Sequence, residues 1–172
     1  MNARIKHFYL ASYASWFALG MLMRPLQAAL EPDLQWLTRL PTTAAVLSLW
    51  ACGFWWIFDA WRSVPEDYRD AAFLGRVPPR TALLLFFVPC LNVAWMFACN
   101  VGLARSINHA SAARGTGAQV SVALAIVACL VQLVPIAGLI FAPPFWLAFM
   151  WNADRARADL ERVDAEAVAQ VF

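Results

Sequence analysis

Residues 120–151, VSVALAIVACLVQLVPIAGLIFAPPFWLAFMW, run without a single charged side chain. As one straight α-helix they would be ~48 Å long at ~1.5 Å per residue. The hydrocarbon core of a bilayer is only ~30 Å thick and is crossed by ~20 apolar residues. The fold therefore turns on where this stretch breaks. Pro143-Pro144 is the natural stop, because proline lacks an N–H and disfavours helix in the residue before it. A span over 120–142 is expected. Residues 145–172 then enter the interface and continue as a polar cytoplasmic helix.

Three further apolar stretches lie upstream, at 7–30, 43–61 and 81–104, the later two bounded by Arg62, Arg80 and Arg105. The chain of 172 residues is 62% hydrophobic and 14% charged, against roughly 45–50% and roughly 25% in soluble domains. A soluble fold of this size cannot bury so much apolar surface, so the lipid bilayer is its solvent and first partner. The expected fold is an all-α membrane protein: a single membrane domain over 1–172 with four transmembrane helices. The first stretch is read as a retained span. With Ala28 or Ala29 at the −1 position, the −3 residue is Leu26 or Gln27, not the small residue a signal-peptide cleavage site needs. Residues 32–40, with Trp36, and residues 65–74 read as short interfacial helices.

Charge gives orientation. Lys and Arg outside the spans number nine in the N-terminal segment, the second loop and the tail, against four in the other two loops. Positive-inside bias places both termini in the cytoplasm. The strong preference for Arg, with Lys6 the one Lys, suits a GC-rich bacterial genome, and the membrane is then the bacterial inner membrane. A net charge of +2, with no basic patch interleaved with aromatics, excludes nucleic acid as a partner.

Few residues within the spans carry chemistry. Asp59 lies about one turn from the cytoplasmic end of the second span, with Arg62 three positions on and able to pair with it. Asn92 and Gln132 each fall near the middle of adjacent spans, where amides act as interhelical glue. Pro89 and Pro135 fall at similar depth and are expected to kink the third and fourth helices; Val88-Pro89 echoes Val134-Pro135. Cys52, Cys90, Cys99 and Cys129 all sit in apolar segments as buried thiols. His7 and His109 are expected on opposite faces. Neither a catalytic set nor a metal or cofactor site is expected, and Gly115-Thr116-Gly117 reads as a flexible loop. In the tail, Leu160, Val163, Ala167 and Val171 form a weak apolar stripe suited to docking a partner.

Around Pro89 the string FFVPCLNVAWMF, residues 86–97, resembles a Pro-x-x-Asn-x-x-Trp-x-Phe helix that recurs in small, uncharacterised bacterial four-helix membrane proteins. In those proteins it follows a Pro-rich amphipathic loop, here 64–80. The resemblance covers about residues 61–108 and departs from the usual form at Cys90 and Ala94, where aromatics are common. It implies membrane architecture and no activity.

The expected function is therefore non-enzymatic: a multi-pass protein that binds a membrane-protein partner or forms a homo-oligomer, as an accessory or immunity-like subunit does. The alternative is a small oligomeric transport or channel component using Asp59 and the kinked third and fourth helices.

Overall fold

The computed structural model describes residues 4–70, 75–135 and 137–169. The described residues form six α-helices and three 3₁₀ turns, with no strand among them. The all-α class is as expected. By backbone packing the chain groups into two compact units, residues 2–56 and 57–172.

In the first unit, α1 (Arg4–Ala29) covers the first expected span and carries Pro25 inside its last turns. A 3₁₀ turn, Pro32–Leu34, leads into α2 (Trp36–Ser63), whose residues beyond Trp56 belong to the second unit. No separate interfacial helix forms over 32–40, because α2 begins at Trp36 and runs through Pro41. A proline so near a helix start costs one backbone bond rather than the helix. The buried Tyr9 ring packs where a Cβ on Gly53 would stand, 3.7 Å from Cε2. Elsewhere the two helices present large apolar side chains outward: Phe8, Phe17, Met21 and Leu22 on α1, and Leu47, Trp50 and Trp55 on α2. Among the described residues one helical stretch, Pro32–Ser63, is long and apolar enough to cross a membrane, and only 17% of its apolar window is buried.

In the second unit neither 81–104 nor 120–142 is a single helix. α3 (Pro79–Leu84) passes into a 3₁₀ turn, Leu85–Phe87, and the chain reverses before α4 (Asn92–Ala113). Val88 is extended (ψ 115°), as the residue before a proline is pushed to be. Cys90 then takes a left-handed conformation, φ 63°. Proline here does more than kink a helix. It turns the chain back, and the returning Trp95 Nε1 donates to the Ala82 carbonyl at 2.7 Å.

α4 ends in a tight cap: Thr116 N donates to Ser111 O and Gly115 N to Ala112 O, with Gly115 at φ 66°. This is the αL termination that glycine permits without steric cost, so 115–117 is a structured stop. Ser121 then caps α5 (Val122–Gln132) by accepting from Leu124 N.

The second reversal decides the fold. At the end of α5, Leu133 N and Val134 N bond carbonyls three residues back. Pro135 follows, and α6 (Ala137–Ala169) begins two residues later, with Gly138 N donating to Val134 O at 2.7 Å. A Cβ on Gly138 would stand 2.9 Å from the carbonyl oxygens of both Val131 and Gln132. Only glycine lets α6 leave so close to the end of α5. At the other end, Ser121 N donates to Asn152 Oδ1 at 2.6 Å. Thirteen residues separate Ser121 from Val134, so this hairpin is ~20 Å deep at ~1.5 Å per residue.

Pro143-Pro144 does not break the chain, contrary to expectation, and α6 runs through both. Its inner face buries Gly138, Ala142, Trp146, Phe149, Met150 and Ala153. Burial of a large apolar side chain is worth ~1.5–3 kcal/mol, so Trp146, Phe149 and Met150 together supply ~4.5–9 kcal/mol against the ~6 kcal/mol that two prolines cost in a helix interior.

α4 and α5 are antiparallel. Cys129 Sγ donates to Met96 O at 3.6 Å near one end, and Asn108 exchanges two bonds with the backbone of Val120 near the other. Both reversals therefore lie at one end of this unit. Residues 105–121, expected on the opposite side from the tail, lie at the same end as residues 59–70 and 152–164. The interfacial helix expected over 65–74 reduces to one 3₁₀ turn, Glu66–Tyr68; residues 71–74 lie outside the described residues.

If Gly138 makes the reversal possible, Gly138→Val lowers the thermal midpoint in mild detergent by the equivalent of ~1–3 kcal/mol. Gly20→Ala, where nothing stands within 4 Å of the added Cβ, leaves it unchanged or raises it slightly. Equal midpoints for Gly138→Val and the parent protein would refute the steric account.

Candidate functional site

The polar groups of the second unit gather where α2 ends. The last carbonyls of a helix have no partner within it; here Arg69 supplies one of them, Arg62 O, and Arg157 adds a bond to Asp59 O just before them. Arg157 Nη2, from α6, donates to Asp59 O at 3.1 Å and to Asp59 Oδ2 at 3.0 Å. Arg69, from the loop, donates through Nη2 to Arg62 O at 3.2 Å and through Nε to Val64 O at 2.7 Å. Ser63 Oγ donates to Ala60 O at 2.8 Å. Cations at a helix C-terminus also complement its dipole.

Arg157 is the centre of the arrangement. Its side chain is 4% exposed, and Nη1 donates to Asp154 Oδ1 at 3.0 Å, itself on a side chain 5% exposed. One planar guanidinium thus bridges Asp154 on its own helix and Asp59 on α2. Its fork geometry suits two carboxylates at once. Nearby, Arg114 Nε donates to Asp164 Oδ1 at 2.6 Å, and its guanidinium carbon lies 5.8 Å from the Tyr68 ring centroid. Ser106 Oγ accepts from Asp70 N at 3.0 Å and donates to Asp70 O at 3.3 Å, fastening the loop to α4.

A cavity of about 30 Å³ lies against Ser63, Val64, Arg114, Arg157, Glu161 and Asp164. Two buried donors here, Arg157 Nε and Arg114 Nη1, have no hydrogen-bond partner. With Asp59 and Asp154 on Arg157, and Glu161 and Asp164 on the wall, carboxylates outnumber the two guanidiniums. The surroundings therefore disfavour an anion.

The structure redistributes the residues singled out in the sequence. Asp59 pairs with Arg157, 98 positions away, and not with Arg62, whose side chain is exposed. Asn92 and Gln132 do not meet. Asn92 opens α4 at the first reversal, exposed, its Oδ1 accepting from Val93 N at 2.8 Å. Gln132 closes α5 and accepts from Trp146 Nε1 at 2.7 Å, so it is interhelical glue for a different partner. Pro89 and Pro135 sit in the two reversals and are not mid-helix kinks.

Of the thiols in this unit, Cys90 is exposed at a reversal, contrary to expectation. Cys99 and Cys129 are buried, and Cys99 Sγ accepts from Trp61 Nε1 at 3.0 Å. Among the described residues no three His, Cys, Asp or Glu gather as metal ligands. Of the tail's apolar stripe, Leu160 is buried beside Ala153 and Ala156, and Val163 is half-buried. The side chain of Ala167 and residue Val171 lie outside the described residues. Asp154 and Ser106 escaped the sequence reading, and so did the partners of Arg157 and Asn108. Their one signal was Asp154 and Arg157 sharing a helical face with Ala153 and Leu160.

Removing the guanidinium strands a buried carboxylate, which costs ~3–5 kcal/mol. Arg157→Met therefore lowers the unfolding midpoint followed by tryptophan fluorescence far more than Asp59→Asn does, because Asp59 is 36% exposed. Arg62→Ala changes it little, within ~0.5 kcal/mol. A ranking with Arg62→Ala as the most damaging change would overturn the assignment.

No protein-family model, curated protein or solved structure matches the chain.

Proposed function

We propose that this chain is a non-enzymatic protein of the bacterial inner membrane that works by associating with a membrane-protein partner or with a second copy of itself. In this reading α1 and α2 cross the bilayer as a pair, with the N-terminus and the tail in the cytoplasm. Three features support the membrane assignment: the length and hydropathy of Pro32–Ser63, its small buried fraction, and the large apolar side chains that both helices present outward.

The observation that carries the association reading is how the candidate polar residues are spent. Asp59 is held by Arg157, Gln132 by Trp146, and Asn92 bonds its own helix start. Each serves the fold. What remains outward is apolar area, including Phe17, Met21, Leu47, Trp50 and Trp55. Contiguous exposed apolar surface of this kind serves lipid or protein contact. The transport alternative needs Asp59 free beside an aqueous path, and its bond to the buried Arg157 does not favour that.

Purification in a mild detergent followed by mass measurement of the intact complex tests the association. The expected result is a species heavier than the 19.1 kDa chain, either a homo-oligomer or a stoichiometric complex with another membrane protein. A bare monomer retained in every mild detergent tried, and after reconstitution into lipid discs, would contradict it.

A further inference from the structure

We infer that residues 57–172 enter the membrane from the cytoplasmic side as a wedge confined to one leaflet, seated by exposed arginines on anionic phospholipid headgroups. The inference rests on the membrane reading above and specifies what the second unit does within it.

Three observations lead there. First, depth. Both reversals lie at one end, and the α5–α6 hairpin is ~20 Å from Ser121 to Val134. Because a hydrocarbon core is ~30 Å thick, such a hairpin ends near its midplane. Apart from the exposed amides Asn92 and Gln132, each hydrogen-bonded within the unit, the reversals present apolar side chains: Phe87 and Val88 at the first, Leu133 and Val134 at the second, with Leu84, Leu130, Leu139 and Phe141 on their flanks. Backbone that turns within a membrane is tolerated when its polar groups are satisfied internally. The short bonds at residues 133, 134 and 138 do this at the second reversal.

Second, charge. Between Asp70 and Asp154 the sequence holds no acidic residue, but it holds Arg76, Arg80, Arg105 and Arg114. Arg114 is bound to Asp164. Arg76, Arg80 and Arg105 are exposed and have no ion-pair partner among the described residues. Arg80 lies in the first turn of α3, and Arg105 lies thirteen positions along α4 from Asn92, again ~20 Å from the reversal. Arg105 stands at the depth of the phosphates when the reversals reach the midplane, Arg80, eight positions or ~12 Å from Val88, extends its side chain toward them from just inside, and arginine forks match phosphate geometry. The carboxylates of the unit belong to residues 59–70 and 154–166, at the end away from the reversals, with Asp70 held at Ser106 level with Arg105.

Third, bias. With residues 105–121 on the same side as the tail, eleven of the thirteen basic residues face the cytoplasm, and only Arg24 and Arg39 face away. The nine-to-four split of a four-span topology is weaker.

The test has two arms in the full chain. A reporter active only in the periplasm, inserted after Thr116, is expected to stay silent, as it does after Phe172, while a cytoplasm-active reporter works at both positions. Export of the Thr116 insertion from a membrane-bound protein overturns the one-leaflet wedge and restores four spans. Recovery of the protein in the soluble fraction overturns the membrane reading itself. In the second arm the purified protein is placed in lipid discs of phosphatidylcholine with or without phosphatidylglycerol. Phosphatidylglycerol is expected to raise the thermal midpoint, and Arg76→Gln/Arg80→Gln/Arg105→Gln to remove most of that gain while leaving the midpoint in pure phosphatidylcholine unchanged. No gain in the parent protein, or the full gain retained in the triple variant, overturns the headgroup seat.

Discussion

The reversal at Val134-Pro135, made possible by Gly138, is the constraint on which the second unit depends. A helix entering an apolar environment must satisfy its backbone, and proline removes one donor and perturbs the residue before it. In the middle of a long apolar run the chain has two responses: bend and continue, or turn back. Turning back requires the outgoing helix to start within contact of the incoming one, and any side chain on residue 138 would meet two carbonyl oxygens at 2.9 Å. Once that turn is made, α6 lies antiparallel to α5, Asn152 reaches Ser121, and the apolar face from Ala142 to Ala153 is buried along α5 and α4. The same packing carries α6 through Pro143-Pro144.

Reversal also explains why the tail is part of the fold. α6 leaves the hairpin already directed at the end of α2, and its next buried face presents Ala153, Asp154, Ala156, Arg157 and Leu160. A charged pair at such a place is a weak source of net stability, because desolvation offsets attraction. Its value is specificity. Arg157 finds two carboxylates and a main-chain carbonyl in one geometry only, and it thereby fixes the register of α6 against α2. Arg69 and Ser106 fix the intervening loop by the same means.

Much of this was legible in the sequence. Apolar content and run length gave an all-helical chain, and α1 and α2 follow from residues 7–30 and 43–61 with their ends extended. The recurrence of Val-Pro in the third and fourth segments was visible as two similar kinks. What distinguishes a kink from a reversal is local. Residue 138 must lack a side chain, and Cys90 must adopt a left-handed backbone that its type does not announce. Pro143-Pro144 misled because helix propensity was weighed without the packing of Trp146 and Phe149, which is a tertiary term. Asp59 was identified as unusual, but its partner was sought one turn away. Arg157 is invisible to local spacing, since the contact exists only after α6 has been turned toward α2. The positive-inside count assigned loops to sides by counting four crossings, and local spacing does not show that residues 105–121 return to the end of the unit where residues 59–70 and 152–164 lie.

The polar side chains of the second unit are spent in the joints between its elements, and large apolar side chains of both units are exposed. The measurement that tests the account most directly is a pulsed dipolar distance between spin labels at Gln119→Cys and Arg155→Cys, both exposed positions, with the native cysteines replaced by alanine, in lipid discs. With both positions at the foot of the α5–α6 hairpin, the labels should lie within roughly 20 Å of one another, the depth of that hairpin. A distance above about 30 Å, the thickness of the hydrocarbon core, would place them on opposite faces of the membrane and contradict the reversal at Pro135.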